Sequence, residues 1–544
     1  MSNTSTNKVF SNLIWRFCER FGAQIVTLIV SIVLARLLDP VAYGTIAIVT
    51  VIITFLQVFV DSGLGNALIQ KTDSDDLDFS TVFYFNFCVC IVLYVALFFF
   101  APVIADFYDN DLLTPIIRVL GVALIISGIK NVQQAYVSKH LLFKRFFFST
   151  IGGTIAAAVI GIVMAYFGYG VWALVAQFLS NLAIDTLILW ITVHWRPKLM
   201  FSFQRLKRLF KYGWKLLVAA SVDALYTDIN KLIIGGMYAE DKLAFYDQGE
   251  KYPRYAVTNI NAAIDSVLLP TMSKEQENRE RVRAMTRRAI KTGSYVMWPL
   301  MVGLGVCAEA FVKVLLTDKW LDSVPFLWIF CFVYAFYPIH TANLNAIKAL
   351  GRSDTFLVLE IIKKVVGIAL LLATLWFGPL AIAGGMALGV IVSSVLNAFP
   401  NKKLLGYSYF EQVKDILPAV IMSVIMGAIV YCVNFIGLSA MATLLIQVPL
   451  GVCIYVLISF LTKNESFCYI LDTLKRFFAK KEKNATEVQG EETAEIAAEG
   501  SGKEENAETT ETTETTETAK TMRDENFNRT EENEDENFTE GKSH

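Results

Sequence analysis

The sequence predicts an all-α integral membrane protein of about fourteen transmembrane helices: two six-helix bundles related by a pseudo-two-fold axis along the membrane normal, then two C-terminal helices. Three observations predict it. Of the 544 residues 55% are apolar and 13% aromatic, too many for a surface that faces water. Apolar runs of about 20 residues, the length that spans a hydrocarbon core of roughly 30 Å, recur until about residue 462. The order of long and short loops in the first six runs also repeats in the next six.

Breaks at charged residues and at Gly or Pro place the helices near 12–38, 42–69, 79–103, 112–138, 147–167, 170–194, 211–237, 250–272, 286–316, 323–347, 355–377, 379–399, 412–435 and 439–461. Unbroken apolarity excludes a barrel, and an open sheet edge cannot exist in lipid. The first run carries Arg16, Glu19 and Arg20 and is too long for a signal-peptide core, so it stays as the first helix. Basic loops then set orientation. Lys139, Lys144 and Arg145; Arg196 to Lys211; Arg279 to Lys291; and Lys402 and Lys403 share one side, which the positive-inside rule makes cytoplasmic, with both termini.

A shift of about 210 places Phe167-Gly168 on Phe377-Gly378. Each unit holds an even number of helices, so the units face the same way, an arrangement associated with rocking, alternating-access transport. The chain divides into an N-lobe at 1–200, an interfacial linker helix at 201–211 with Phe203, Leu206, Leu209 and Phe210 on one face, a C-lobe at 212–403, two helices at 404–462, and an amphipathic segment with an acidic cytoplasmic tail at 463–544. That tail hides behind a formal net charge of −2 and is too polar and repetitive to fold; its sequons at Asn484, Asn528 and Asn537 carry no meaning on that side. The eight cysteines, mostly within apolar runs, show no metal or redox spacing, and His194 and His340 stand apart from any ligand pattern.

Charge at the bilayer centre costs at least about 2.5–3.5 kcal/mol, so intramembrane ions should face protein or a wet cavity. The first run has Arg16, Arg20, Gln24, Thr27 and Ser31 on one helical face, and the second Thr50, Thr54, Gln57 and Asp61. The seventh has Lys215, Asp223, Tyr226 and Asn230, and the eighth Arg254, Thr258, Asn261 and Asp265. A shift of 199 relates the first and seventh stripes and one of 204 the second and eighth, with a longer loop to explain the difference. These faces are expected to line one central cavity between the lobes, with Arg16, Arg20, Gln24, Gln57, Asp61, Lys215, Asp223, Tyr226, Asn230, Arg254, Asn261 and Asp265 as substrate-binding residues. Cations there suit a phosphate or diphosphate. On closure Arg16 or Arg20 is expected to pair with Asp265, and Lys215 with Asp61. Arg118, Lys130, Asn131, Gln134, Asp185, Glu360, Lys363 and Lys364 read as pairs within a lobe or groups reaching the interface.

The first hairpin, Leu34-Ala35-Arg36-Leu37-Leu38-Asp39-Pro40-Val41-Ala42-Tyr43-Gly44, and the stretch Asp61-Ser62-Gly63-Leu64-Gly65-Asn66-Ala67-Leu68-Ile69-Gln70 resemble the polysaccharide-unit flippases of the MOP exporter superfamily, the Wzx and WzxC-like lipopolysaccharide biosynthesis proteins. The resemblance runs from about residue 8 to 462. It implies export of an undecaprenyl-diphosphate-linked oligosaccharide from the cytoplasmic to the outer leaflet of a bacterial plasma membrane, with no cofactor and no nucleic acid. A proton or sodium ion is the implied coupling ion, and polysaccharide-assembly proteins the implied partners. Family members that carry lipid-linked peptidoglycan precursor use cavity arginines near the start of the first helix, where Arg16 and Arg20 stand; the long acidic tail departs from the family's usual short end. The alternatives are a cation-coupled exporter of small molecules, which would prefer an acidic, aromatic pocket, and a glycan polymerase or ligase. Against an enzyme, the outward loops are short and no nucleophile elbow, metal cluster or phosphate-cradling loop occurs.

Overall fold

The computed structural model describes residues 3–61, 64–71, 73–140, 142–473 and 475–476. Between residues 3 and 461 it forms α1 (Asn3–Leu37), α2 (Pro40–Asp61), α3 (Leu64–Gln70), α4 (Asp76–Phe107), α5 (Leu113–Lys139), α6 (Phe143–Tyr166), α7 (Val171–Thr192), α8 (Phe203–Met237), α9 (Glu240–Lys274), α10 (Arg279–Val306), α11 (Ala308–Leu315), α12 (Val324–Ala335), α13 (Tyr337–Ala349), α14 (Ser353–Thr374), α15 (Pro379–Leu405), α16 (Tyr409–Tyr431) and α17 (Ala440–Leu461), with no strand among the described residues. The fourteen apolar runs fall in order on these helices, three of the runs being broken once: α2–α3, α10–α11 (bent by 67°) and α12–α13.

By length and apolarity nine of these segments qualify as membrane spans, and ten if the bent α10–α11 pair is one span. The four that fall short are α1, α8, α9 and α14. Charged residues interrupt the apolar run of each, as Lys130 and Asp185 also do within α5 and α7.

Sequence chemistry sets the breaks. Asp75 caps α4 and exchanges bonds with Asp78 in a capping box, as Ser408 and Glu411 do for α16. Gly168 at φ +80° and Gly378 at φ +104° turn the chain after α6 and α14, in a region that only glycine enters freely.

Packing forms two sets. In the first, α1 lies on α6, α6 on α7, α4 on α5, and α5 on α2 and α7; in the second, α9 lies on α12 and α13, α14 on α15, and α12 and α13 on α15. α16 packs on α10, and α17 on α11 and α16. The sets join where α2 lies along α8 and α9.

The expected linker at 201–211 is no separate element but the start of α8. Its Leu206 and Leu209 are buried with Leu68, Phe83, Leu189 and Trp195 of the first set, while Phe203 and Phe210 remain exposed. Arg205 reaches Asp75 at 3.1 Å and Asp78 at 3.0 Å, and Lys198 reaches Asp76 at 2.6 Å. Residues 465–473 are helical, and the acidic tail with its sequons, from 477 onward, lies outside the described residues.

Candidate functional site

A cavity of about 770 Å³ opens among α8, α9, α12, α13, α14 and α15. Tyr226 and Asn230 reach it from α8, Glu250, Arg254, Asn261 and Asp265 from α9, His340, Asn345 and Lys348 from α13, and Glu360, Lys363 and Lys364 from α14. The α9 residues recur at steps of four, seven and four, which keeps them on one helical face.

Its charges form a loose network. Arg254 Nη1 stands 3.5 Å from Glu250 Oε1, Lys363 Nζ 2.5 Å from Glu360 Oε1, and Lys364 Nζ 3.1 Å from Asp223 Oδ1. Asn345 donates to Asp265 at 2.6 Å, and the Lys348 ammonium stands 4.5 Å from the Phe356 ring centre. Four cations thus line the cavity against three carboxylates. Asn261 is buried, 8% exposed, and its Oδ1 has no protein partner. A buried acceptor left open faces a water or a bound hydroxyl. His340 accepts from Asn397 Nδ2 at Nδ1 (2.8 Å) and has Ser394 Oγ 3.4 Å from Nε2, which ties the ring to α15.

The two sets are fastened to each other at the end that carries the α1–α2 and α8–α9 turns. Trp320 Nε1 donates to Ala35 O at 2.8 Å, and its ring meets Tyr43 edge-on at 5.2 Å. Arg36 donates to the carbonyls of Leu315 (2.8 Å) and Val314 at the end of α11. Lys319 donates to the Arg36 carbonyl at 3.1 Å and to that of Leu38, and Lys251 to Ser31 Oγ at 2.5 Å. Glu240 accepts from Thr45 and Asn110. Gly44 leaves the Glu240 carbonyl room that a Cβ would fill.

Of the twelve sequence-selected residues, Tyr226, Asn230, Arg254, Asn261 and Asp265 meet in the cavity, and Asp223 stands beside it through Lys364. The lining of this cavity comes wholly from α8, α9 and α12 to α15, whereas the expectation was one central cavity between the lobes. Gln57 donates instead to Ser127 of α5 at 3.2 Å, inside the first set, and Gln24 is half-buried on α1. The side chains of Arg16, Arg20, Asp61 and Lys215 lie outside the described residues, and with them the cations of both expected gate pairs and the Asp61 carboxylate; Asp265 is held by Asn345.

The repeat register also differs. The α1–α2 turn at 38–39 and the α8–α9 turn at 238–239 have equal lengths, so one shift of 200 relates these hairpins and no longer loop exists. Steps of three and four match a helical face in several registers, which is why 199 and 204 looked acceptable. Glu250, His340, Asn345, Lys348, Glu360, Lys363 and Lys364 are the cavity groups outside the predicted stripes. The signal available was that Lys363 and Lys364 sit mid-helix, too far from either interface to reach it.

Comparison with known proteins places this architecture. The family described as polysaccharide biosynthesis protein matches residues 33–325. The chain is 24% identical over 408 residues to the lipopolysaccharide biosynthesis protein WzxC of Escherichia coli (strain K12), covering 73% of this chain and 83% of that protein. It is 25% identical over 421 residues to the teichuronic acid biosynthesis protein TuaB of Bacillus subtilis (strain 168), covering 74% and 84%. Its fold matches that of the lipid II flippase MurJ in an inward closed conformation with a TM-score of 0.69 at 15% identity, over 83% of this chain and 98% of that one. The family match runs from the end of α1 to the start of α12, and the chain is a multi-pass membrane protein of the polysaccharide biosynthesis protein family.

Proposed function

We propose that the protein is a flippase that moves a lipid-linked oligosaccharide, carried on undecaprenyl diphosphate, from the cytoplasmic to the outer leaflet of a bacterial inner membrane by alternating access. The observation that carries this reading is the ion-lined cavity in the second helix set. Arg254, Lys348, Lys363 and Lys364 offer charge-assisted hydrogen bonds to a diphosphate, and Asn261 Oδ1 offers an open acceptor to a sugar hydroxyl. The tyrosines Tyr226, Tyr334 and Tyr337 give flat apolar faces for the rings of a sugar.

Both termini and the basic loops are cytoplasmic in this reading, and all fourteen segments span. The end fastened by Trp320, Arg36 and Glu240 is then the outer one, and the described conformation is closed outward. The N-lobe at 1–200 and the C-lobe at 212–403 rock about the α2 contact with α8 and α9, residues 201–211 travel with the N-lobe, and Arg16, Arg20 and Lys215 add cations near the cytoplasmic mouth. The tail from 463 binds an assembly partner.

The experiment is leaflet transfer. Full-length protein in liposomes should change which leaflet holds a lipid-linked oligosaccharide, assayed by its access to an external glycosidase, while its mass stays unchanged. Arg254→Ala together with Lys364→Ala should slow transfer at least about tenfold, the worth of one lost charge-assisted contact at about 1.5 kcal/mol. Transfer at the rate of empty liposomes, or a new glycosidic bond in the product, overturns the reading.

A further inference from the structure

Beside the cavity, α8 and α9 hold a second ionic group that recognition of a phosphorylated cargo does not require. Lys231 Nζ lies 2.6 Å from Asp247 Oδ1, 3.5 Å from Glu250 Oε2 and 3.8 Å from Asp228 Oδ1. Asp228 is one turn before it on α8, and Asp247 and Glu250 are one turn apart on α9, so both helices aim carboxylates at one point. The Lys231 side chain is 12% exposed. Glu250 is fixed from its other side by the Tyr334 hydroxyl at 3.0 Å and by Arg254, and it therefore cannot swing away from the ammonium without giving up both.

Three carboxylates converging in a low-dielectric surround are what a bare monovalent cation asks for; here the ammonium takes that place, hydrogen-bonded to Asp247 and ion-paired with Glu250 and Asp228. The cage is not an echo of the internal repeat. With the shift of 200, Asp228, Lys231, Asp247 and Glu250 stand where the first set has Leu28, Ser31, Ala47 and Thr50, all neutral. The second set holds both the carboxylates and their cation. The Ser31 hydroxyl on the other side of the junction accepts from Lys251, the neighbour of Glu250, so the cage also abuts the surface where the two sets part.

We propose that Asp228, Asp247 and Glu250 form a monovalent-cation site whose resident occupant is the ammonium of Lys231, so that no free sodium or potassium ion binds there during the cycle. The inference stands on the cage alone and does not need the cargo to be a glycan.

The test uses the full-length protein in nanodiscs, with thermal unfolding midpoints compared in sodium, potassium and N-methyl-D-glucamine chloride at equal ionic strength. The wild type should melt at the same temperature in all three. Lys231→Ala should melt lower in N-methyl-D-glucamine, and sodium or potassium should raise its midpoint saturably, by about 3 °C at roughly a hundred times the dissociation constant. Adding Asp247→Asn to that variant should remove the response. A Lys231→Ala protein indifferent to the cation, or one that cannot be recovered folded in sodium chloride, overturns the proposal. A wild type stabilised saturably by sodium, with the effect lost in Asp247→Asn, overturns it independently of whether the lysine variant folds, because a free ion would then share the cage.

Discussion

In the proposed orientation, Trp320 gives the sharpest test of how the outward end is closed. Its ring is fully buried, donates to Ala35 O at 2.8 Å and stands edge-on to Tyr43 at 5.2 Å, both on the first helix set. Its other neighbour, Phe245 at 6.0 Å, belongs to the second set and stays with it when the sets part. Of these three contacts, the first two favour the closed arrangement. The hydrogen bond is worth about 1 kcal/mol and the aromatic pair about another 1 kcal/mol. Trp320→Ala should thus shift the closed–open equilibrium by about 2 kcal/mol, close to thirtyfold, and Trp320→Phe, which keeps a ring, by about 1 kcal/mol or fivefold. Ile48, buried on α2 against Gly235 of α8, supplies the reporter. In a cysteine-free background, an Ile48→Cys protein should react with an impermeant maleimide from outside at rates rising in those proportions. Equal rates in the three proteins, at equal folded yield, would refute the closure argument.

Other perturbations probe the supporting structure. Lys130→Ala leaves the Asp185 carboxylate, 2.6 Å from the lost ammonium, unpaired between α5 and α7, and should lower stability by about 3–5 kcal/mol, whereas Lys130→Met with Asp185→Leu should recover most of it; detergent melting curves read both. Asp78→Ala removes the buried partner of Arg205 and Lys71 and should cost about 3 kcal/mol while opening residues 203–211 to protease. Lys198→Ala, in an exposed pair with Asp76, should cost less than about 1 kcal/mol by the same measurement. Gly378→Ala meets no neighbouring atom yet must hold φ +104°, so it should lose about 1–2 kcal/mol of stability with transfer unchanged.

What was legible in the sequence follows from which forces act locally. Bilayer thickness acts on every residue of a run, so the order of the helical segments was readable, as were the glycine turns after α6 and α14. Face periodicity was readable too, and Arg254, Asn261 and Asp265 do share one side of α9. What the side faces depends on a neighbour distant in sequence. The Gln57 amide satisfies itself on Ser127, seventy residues away, and the cavity charges depend as much on α14 as on the predicted stripes. Lys363 and Lys364 stand mid-helix, but nothing in α14 alone says that Asp223 lies opposite Lys364. The Trp320 fastening was invisible for the same reason. A tryptophan between two apolar runs looks like an interfacial anchor, and only its 2.8 Å reach to a carbonyl 285 residues earlier reveals otherwise.

Among the described residues the guanidinium of Arg36 grips no side chain: its acceptors are the peptide oxygens at the C-terminal end of α11, the short helix bent away from α10. A helix end presents those oxygens, and its negative pole, whatever amino acids compose it. Replacements at Val314 or Leu315 therefore leave this clasp intact so long as the helix still ends there, and its specificity rests on one side chain of the hairpin and on the place where a distant rod stops. Sequence drift on the receiving side is silent, while loss of that single arginine, or a one-turn extension of the rod, undoes this clasp and leaves the others to hold.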